Sequence, residues 1–261
     1  MQPVCLITGA SAGIGAALAR VFAAQGHTLV LTARREAQLS ALADEIAAAG
    51  HKRPHVIIAD LGAADGPALL ADALATRSLE PAIVVNNAGF GLLGEAADLD
   101  RARQLAMIDL NVRALTELSL RWIEPLTRHR GGILNVASVA GFLPGPGMAV
   151  YNATKAYVVS FSEALHQELA GDSVRVCALC PGPVETEFFG LAGIPDDYYP
   201  AAFSRSAERV AQDGYAGFMA GHRVVVPGKP NRFMTLLPRL VPHWLIVAGA
   251  EWWRNQARHH G

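Results

Sequence analysis

Cysteine is scarce in this chain of 261 residues, which has three: Cys5, Cys177 and Cys180. An odd, sparse set makes no disulfide framework and suits a reducing compartment. No run of about 18 apolar residues occurs, which argues against a membrane-spanning helix. Met1-Gln2-Pro3 leads straight into an apolar segment without a basic region or cleavage site, so no secretory leader is expected and a cytoplasmic location is. Charge of either sign is also in short supply: 17% of residues are charged and the net charge is -1, so nothing points to nucleic acid. Metal-ligand clusters are missing too. Cys177-Ala178-Leu179-Cys180 is the nearest approach, but it falls on an apolar strand pattern, where positions three apart face opposite ways. Two buried strand cysteines and no metal are expected.

Half the residues are hydrophobic (51%), enough for a sizeable core. Apolar strand-like runs at residues 4–8, 28–33, 55–59, 82–85, 132–137, 174–180 and 223–226 alternate with helical patterns. In the first helical pattern Ile14, Leu18, Val21 and Phe22 repeat at helical spacing and stop before Gly26. A long pattern spans residues 101–127 and predicts one helix; another runs from Tyr151 to about Ala170. Near-continuous apolar strands alternating with helices imply an α/β fold, a doubly wound parallel sheet of about seven strands covered on both faces. Without a repeat or convincing linker, one domain over residues 1–228 is expected, followed by an extension over 229–261.

Thr8-Gly9-Ala10-Ser11-Ala12-Gly13-Ile14-Gly15 lies between the first strand and the first helix. Glycines there permit a tight turn and bring backbone N–H groups close to a pyrophosphate at the helix start. The same stretch contains Gly-x-Ser-x-Gly, the nucleophile elbow of hydrolases, with Ser11 at its centre. An elbow requires an oxyanion loop from an earlier strand, and only eight residues precede Gly9. No histidine stands in a suggestive setting, so the hydrolase reading falls well behind.

Tyr151 and Lys155 are four residues apart and share one helix face. A phenol ordinarily titrates near pH ~10; bringing it to about 7 takes roughly 4 kcal/mol. One cation at about 4 Å in an effective dielectric near ~20 supplies a similar amount. The expectation is a tyrosine acid/base whose pKa is lowered by the lysine.

Taken in order, the glycine loop, Asn86-Asn87-Ala88-Gly89, Asn111, Ser138, Tyr151-x-x-x-Lys155 and Pro181-Gly182 resemble the short-chain dehydrogenase/reductase family over about residues 4–228. The resemblance implies a Rossmann-like fold and hydride transfer between a nicotinamide cofactor and a carbonyl or alcohol. It implies that Tyr151 gives or takes the proton, Ser138 holds the same oxygen, Lys155 binds the nicotinamide ribose, and Asn111 helps hold a water connected to the lysine. Gly9, Ser11, Gly13, Ile14 and Gly15 would hold the diphosphate, Asp60 and Leu61 would lie at the adenine, and Asn87, Ala88 and Gly89 would pass under the cofactor. Pro181, Gly182, Val184 and Thr186 would flank the nicotinamide. A homodimer or homotetramer is implied as well.

Arg34 and Arg35 end the second strand, where the adenosine ribose should lie. Arginine there suits the 2′-phosphate of NADP, whereas a carboxylate would suit NAD. NADP(H) is therefore favoured, with Arg34 the principal contact and Arg35 assisting, although the loop position where many NADP-preferring relatives carry a basic residue is Ala12. Apolar residues in segments 90–93, 142–148 and 188–203 suit an apolar, bulky ketone or aldehyde substrate. The tail over 229–261 holds five basic residues against one acid, with Trp252-Trp253 near its end. Packing on the domain or a second subunit is expected of it, with contact at a membrane surface the alternative.

Overall fold

The structure is a computed structural model and describes residues 1–195, 198–242, 244–249 and 251. Seven parallel strands form one sheet: β1 (Gln2–Thr8), β2 (Leu29–Ala33), β3 (His55–Ile58), β4 (Leu79–Asn86), β5 (Gly132–Val136), β6 (Arg175–Leu179) and β7 (Val224–Val225). Their order is β3-β2-β1-β4-β5-β6-β7. The chain therefore reverses its direction of travel between β1 and β4, which opens a crevice at the carboxyl ends of those strands.

Alternation along each strand sends side chains to two cores. Cys5 and Ile7 pack with α1 (Gly13–Ala24), α2 (Glu36–Ala48) and α9 (Ala207–Met219) through Leu18, Phe22, Leu39, Val210 and Phe218. Val4 and Leu6 face the opposite layer and meet Leu70 and Leu74 of α3 (Gly66–Thr76). The cysteines of β6 follow the same rule: Cys177 lies in the first core and Cys180, just past the strand, in a core on the other face. All three thiols are free and buried.

One expected element is divided. The 101–127 pattern becomes α4 (Arg101–Ile108), a π-turn over Asp109–Ala114, α5 (Leu115–Arg121) and α6 (Ile123–His129). Pro125 explains the second break: it lacks the N–H that would bond to Arg121, and its ring crowds that carbonyl. The chain accordingly leaves helical geometry at Trp122, with φ -107 and ψ 9. The π-turn contains Asn111, and such turns often mark functional positions.

After α7 (Ala149–Glu168) and β6, the segment facing the crevice forms α8 (Glu187–Ala192) and a short 3-10 turn at Ala201–Phe203. Asp196 and Asp197 lie outside the described residues. The extension begins as α10 (Lys229–Leu240), anchored by the buried Asn231, whose amide donates to the carbonyls of Phe203 and Pro227. Trp252, Trp253, Arg254 and Arg258 lie outside the described residues.

Candidate active site

The glycine loop is shaped by conformations that a side chain would oppose. Gly9 and Gly13 have φ of 64 and 56, the left-handed region that glycine adopts without steric cost. Gly15 has no room for a Cβ, which would stand 2.3 Å from the Gly9 carbonyl oxygen and 2.4 Å from Asn87 Nδ2. The helix that follows starts without a side-chain cap, Ala12 being the capping residue. Its first N–H groups thus lack side-chain acceptors and face an anion's natural position. This cradle fits a dinucleotide diphosphate.

Asn87 locks the loop from the neighbouring strand. Its Nδ2 donates to the carbonyls of Thr8 and Gly9 at 2.9 and 3.1 Å. Thr8 Oγ1 in turn accepts from the backbone N–H groups of Asn87 and Ala88, both at 3.0 Å. Thr8, first in the loop motif, shows no role of its own in the sequence, because a strand threonine is common and only the pairing of β1 with β4 reveals its task. Asp60 does not cap α3, which begins after Asp65; it accepts from the Gly62 N–H at 3.0 Å and closes a turn at the cavity edge. Leu61 lines the cavity next to Asp60 and is buried in the core that also holds Val4 and Leu6 of β1.

The proton-transfer candidates converge beyond the ends of β4 and β5. Tyr151 and Lys155 are both buried on α7, with Lys155 Nζ 5.8 Å from the Tyr151 ring centre. Lys155 Nζ donates to the Val136 carbonyl at 2.8 Å. That acceptor carries no signal in sequence, since every residue type offers the same carbonyl. Ser138 begins a 3-10 turn; its Oγ accepts from the Ala140 N–H at 3.1 Å and donates to the Pro181 carbonyl at 3.4 Å, close enough to the Tyr151 phenol to act on its pKa. Asn111 fastens three segments: its Oδ1 accepts from Phe90 N–H at 3.1 Å, and its Nδ2 donates to Phe90 O at 2.9 Å and to Thr154 Oγ1 at 3.1 Å. Behind α7, a buried row runs from Asn86 to Asn135 (2.9 Å) and from Asn135 to Ser162 (2.9 Å), tying the helix to the sheet.

The expected direction of the Tyr151 pKa is corrected here. Burial pushes the phenol up to about 12, with the neighbouring Ser138 hydroxyl opposing that rise. Burial also pulls the Lys155 ammonium down to about 8. Desolvation outweighs the cation: the ammonium donates to the Val136 carbonyl and stands 5.8 Å from the centre of the phenol ring. At neutral pH Tyr151 is thus a proton-bearing phenol, the form needed to donate.

The remaining motif residues lie around one cavity of about 1310 Å³. Pro181, Gly182, Val184 and Thr186 line it, and Thr186 caps α8 by accepting from Phe188 N–H at 3.3 Å. Arg34 and Arg35 stand at its far end. Arg35 donates to Ser11 Oγ, whereas Arg34 has no hydrogen bond or ion pair among the described residues. Ser11 has no histidine partner among the described residues, which leaves the hydrolase alternative without a base. Of the apolar substrate segments, Phe90, Leu143, Met148, Phe188 and Phe189 reach the cavity, while Leu92 and Phe142 turn into core. Met234, Leu237, Val241 and Ile246, in the extension, line it as well. No potential metal cluster occurs among the described residues.

The family model described as short chain dehydrogenase matches residues 3–192. Sulfoacetaldehyde reductase 2 of Chromohalobacter salexigens is 39% identical over 72% of this chain and 75% of its own. Among solved structures, a short-chain dehydrogenase from Sphingobium yanoikuyae in complex with NADPH is 34% identical, with a TM-score of 0.80 over 90% of this chain and 92% of its own. A bulky-bulky ketone specific alcohol dehydrogenase from Comamonas testosteroni is 28% identical and has a TM-score of 0.75; the match covers 100% of this chain, extension included, and 93% of that one. Matched structures include complexes with NADPH and with NAD. With the cradle, the ordered motifs and these matches together, the chain belongs to the short-chain dehydrogenase/reductase family, oxidoreductases that act on CH–OH groups with NAD(P).

Proposed function

We propose that the protein interconverts a bulky, apolar ketone or aldehyde and its alcohol with NADP(H), using Tyr151 as acid/base. The observation that carries this reading is the meeting of Tyr151, Ser138 and Lys155 at the wall of a large chamber that is otherwise mostly apolar. The likeness to the Comamonas ketone enzyme, whose match includes the extension, supports the substrate class.

The nicotinamide, when bound, supplies or accepts the hydride. Gly9, Ser11, Gly13, Ile14 and Gly15 would hold the diphosphate, Asp60 and Leu61 the adenine end, Asn87, Ala88 and Gly89 the underside, and Pro181, Gly182, Val184 and Thr186 the carboxamide end. As charge grows on the carbonyl oxygen, Ser138 would donate a hydrogen bond and Tyr151 its proton. The phenol's pKa of about 12 suits that step, since the acceptor is a developing alkoxide more basic than phenolate. Lys155 would supply positive charge beside Tyr151 and bind the nicotinamide ribose. Asn111 would hold Phe90 and Thr154 in place around them.

Arg34, unpaired among the described residues, and Arg35 would take the 2′-phosphate. Replacing both by alanine is expected to raise KM for NADPH about tenfold or more and KM for NADH by less than about twofold. Steady-state kinetics with both cofactors measure this; a wild-type protein that prefers NADH contradicts the assignment.

Residues 1–228 would form the catalytic domain and the extension from 229 the outer wall of the substrate chamber. Phe233 and Trp244 are exposed on that extension (64% and 69%), and no helix of the described residues is long and apolar enough to cross a membrane. These exposed apolar side chains would suit membrane contact. Membrane contact remains the alternative to packing on the domain: co-sedimentation with anionic vesicles that is lost on truncation after Gly228 would support it, and an intact protein that stays in the supernatant counts against it. Exposed Leu105, Ile108, Leu120 and Tyr157 on α4, α5 and α7 suit pairing with a second copy in a homodimer or homotetramer. Three buried free thiols suit a reducing, cytoplasmic setting.

A further inference from the structure

Arg35 is gripped from both walls of the cofactor crevice. Its Nε and Nη2 donate to Ser11 Oγ at 3.2 and 3.0 Å, in the glycine loop. Its Nη1 lies 2.8 Å from Glu187 Oε2, in the first turn of α8 across the crevice. All three residues line the cavity. One edge of the guanidinium is thus occupied by a neutral hydroxyl and the remaining nitrogen by a carboxylate oxygen, which makes the charge-assisted contact that a phosphate oxygen would make.

We propose that Glu187 is a specificity-determining residue: it holds Arg35 as a stand-in for the 2′-phosphate and competes with that phosphate for the guanidinium. This inference rests on the NADP(H) reading above. A cofactor bearing the 2′-phosphate must displace Glu187 from Arg35, and once displaced the carboxylate remains a nearby like charge. A cofactor without that phosphate leaves the ion pair in place. Glu187 therefore lowers the preference for NADP(H) below what two arginines would otherwise give. The magnitude is modest, because the side chains of Arg35 and Glu187 are 41% and 56% exposed and water screens the pair.

The ligands that isolate this contact are adenosine 2′,5′-bisphosphate and adenosine 5′-monophosphate, which differ only at the 2′ position. Calorimetric titration of the full-length protein should show that Glu187→Gln tightens the bisphosphate about threefold to fivefold and the monophosphate by less than about 1.5-fold, the size expected of an exposed ion pair. In an Arg35→Ala background the Glu187→Gln gain should shrink to the small part owed to relief of like-charge repulsion, and an undiminished gain would overturn the competition for Arg35. Equal tightening of both ligands would reduce Glu187 to a general negative charge and overturn the proposal. Weakened bisphosphate binding in Glu187→Gln would overturn it too, since Glu187 would then be positioning Arg35 for the phosphate. A wild-type protein that binds the bisphosphate no tighter than the monophosphate overturns instead the NADP(H) reading beneath it.

Discussion

Tyr151→Phe should lower kcat for ketone reduction by about 10²- to 10⁴-fold, the range associated with a positioned general acid. The substitution removes one hydroxyl and keeps the ring, which stands 5.6 Å from Phe188 with its planes at 50°. The Tyr151 residue is 8% exposed, so the retained ring preserves most of the packing of the surrounding apolar cluster. Cofactor affinity should change by less than about twofold, because the phenol has no role in the glycine cradle. Stopped-flow hydride transfer and a binding titration separate these outcomes. A kcat within about threefold of wild type would remove Tyr151 from the mechanism.

Asn111→Ala carries the second large effect, on stability and rate together. The side chain makes three hydrogen bonds from a 1% exposed position, and its loss strands the Phe90 N–H and the Thr154 hydroxyl's acceptor capacity. Unsatisfied buried groups of this kind cost about 2 to 3 kcal/mol, which lowers Tm by roughly 5 to 10 °C in a domain of this size. Thr154 Oγ1 also donates to the Tyr151 carbonyl at 2.7 Å, so the disturbance reaches the turn that carries the phenol. A displacement there of about 1 Å would cost about 10²-fold in kcat. Calorimetry and steady-state kinetics on the same preparation test the pair of effects; a variant with wild-type Tm would show that Asn111 is no clamp.

The fold was largely legible because its local signals agree. Strands β1, β5 and β6 are centred on apolar residues, and the glycines after β1 and the stop at Gly26 bracket the first helix. The break at Trp122 was less legible: apolar periodicity continues through Pro125, and backbone sterics decided against it. Within the site, the ordered motifs pointed to Ser138, Tyr151 and Lys155, which line one cavity, and to Asn111, which is buried behind it and bonded to Phe90 and Thr154. The direction of the Tyr151 pKa was not legible, since helical spacing shows that a cation is near but not that it turns to Val136 or that burial dominates. Glu187 was equally hidden. Its partner lies 152 positions away in the chain, and only the closing of α8 across the crevice makes the pair.

The central claim, that Tyr151 protonates a bulky apolar carbonyl as hydride leaves NADPH, is tested most directly by NADPH oxidation with a panel of ketones and aldehydes graded in size. Turnover by the wild-type protein should rise toward the bulkier apolar ketones and be nearly abolished in Tyr151→Phe. A wild-type protein that binds NADPH yet reduces no member of the panel, or a Tyr151→Phe protein that reduces them at full rate, would contradict it.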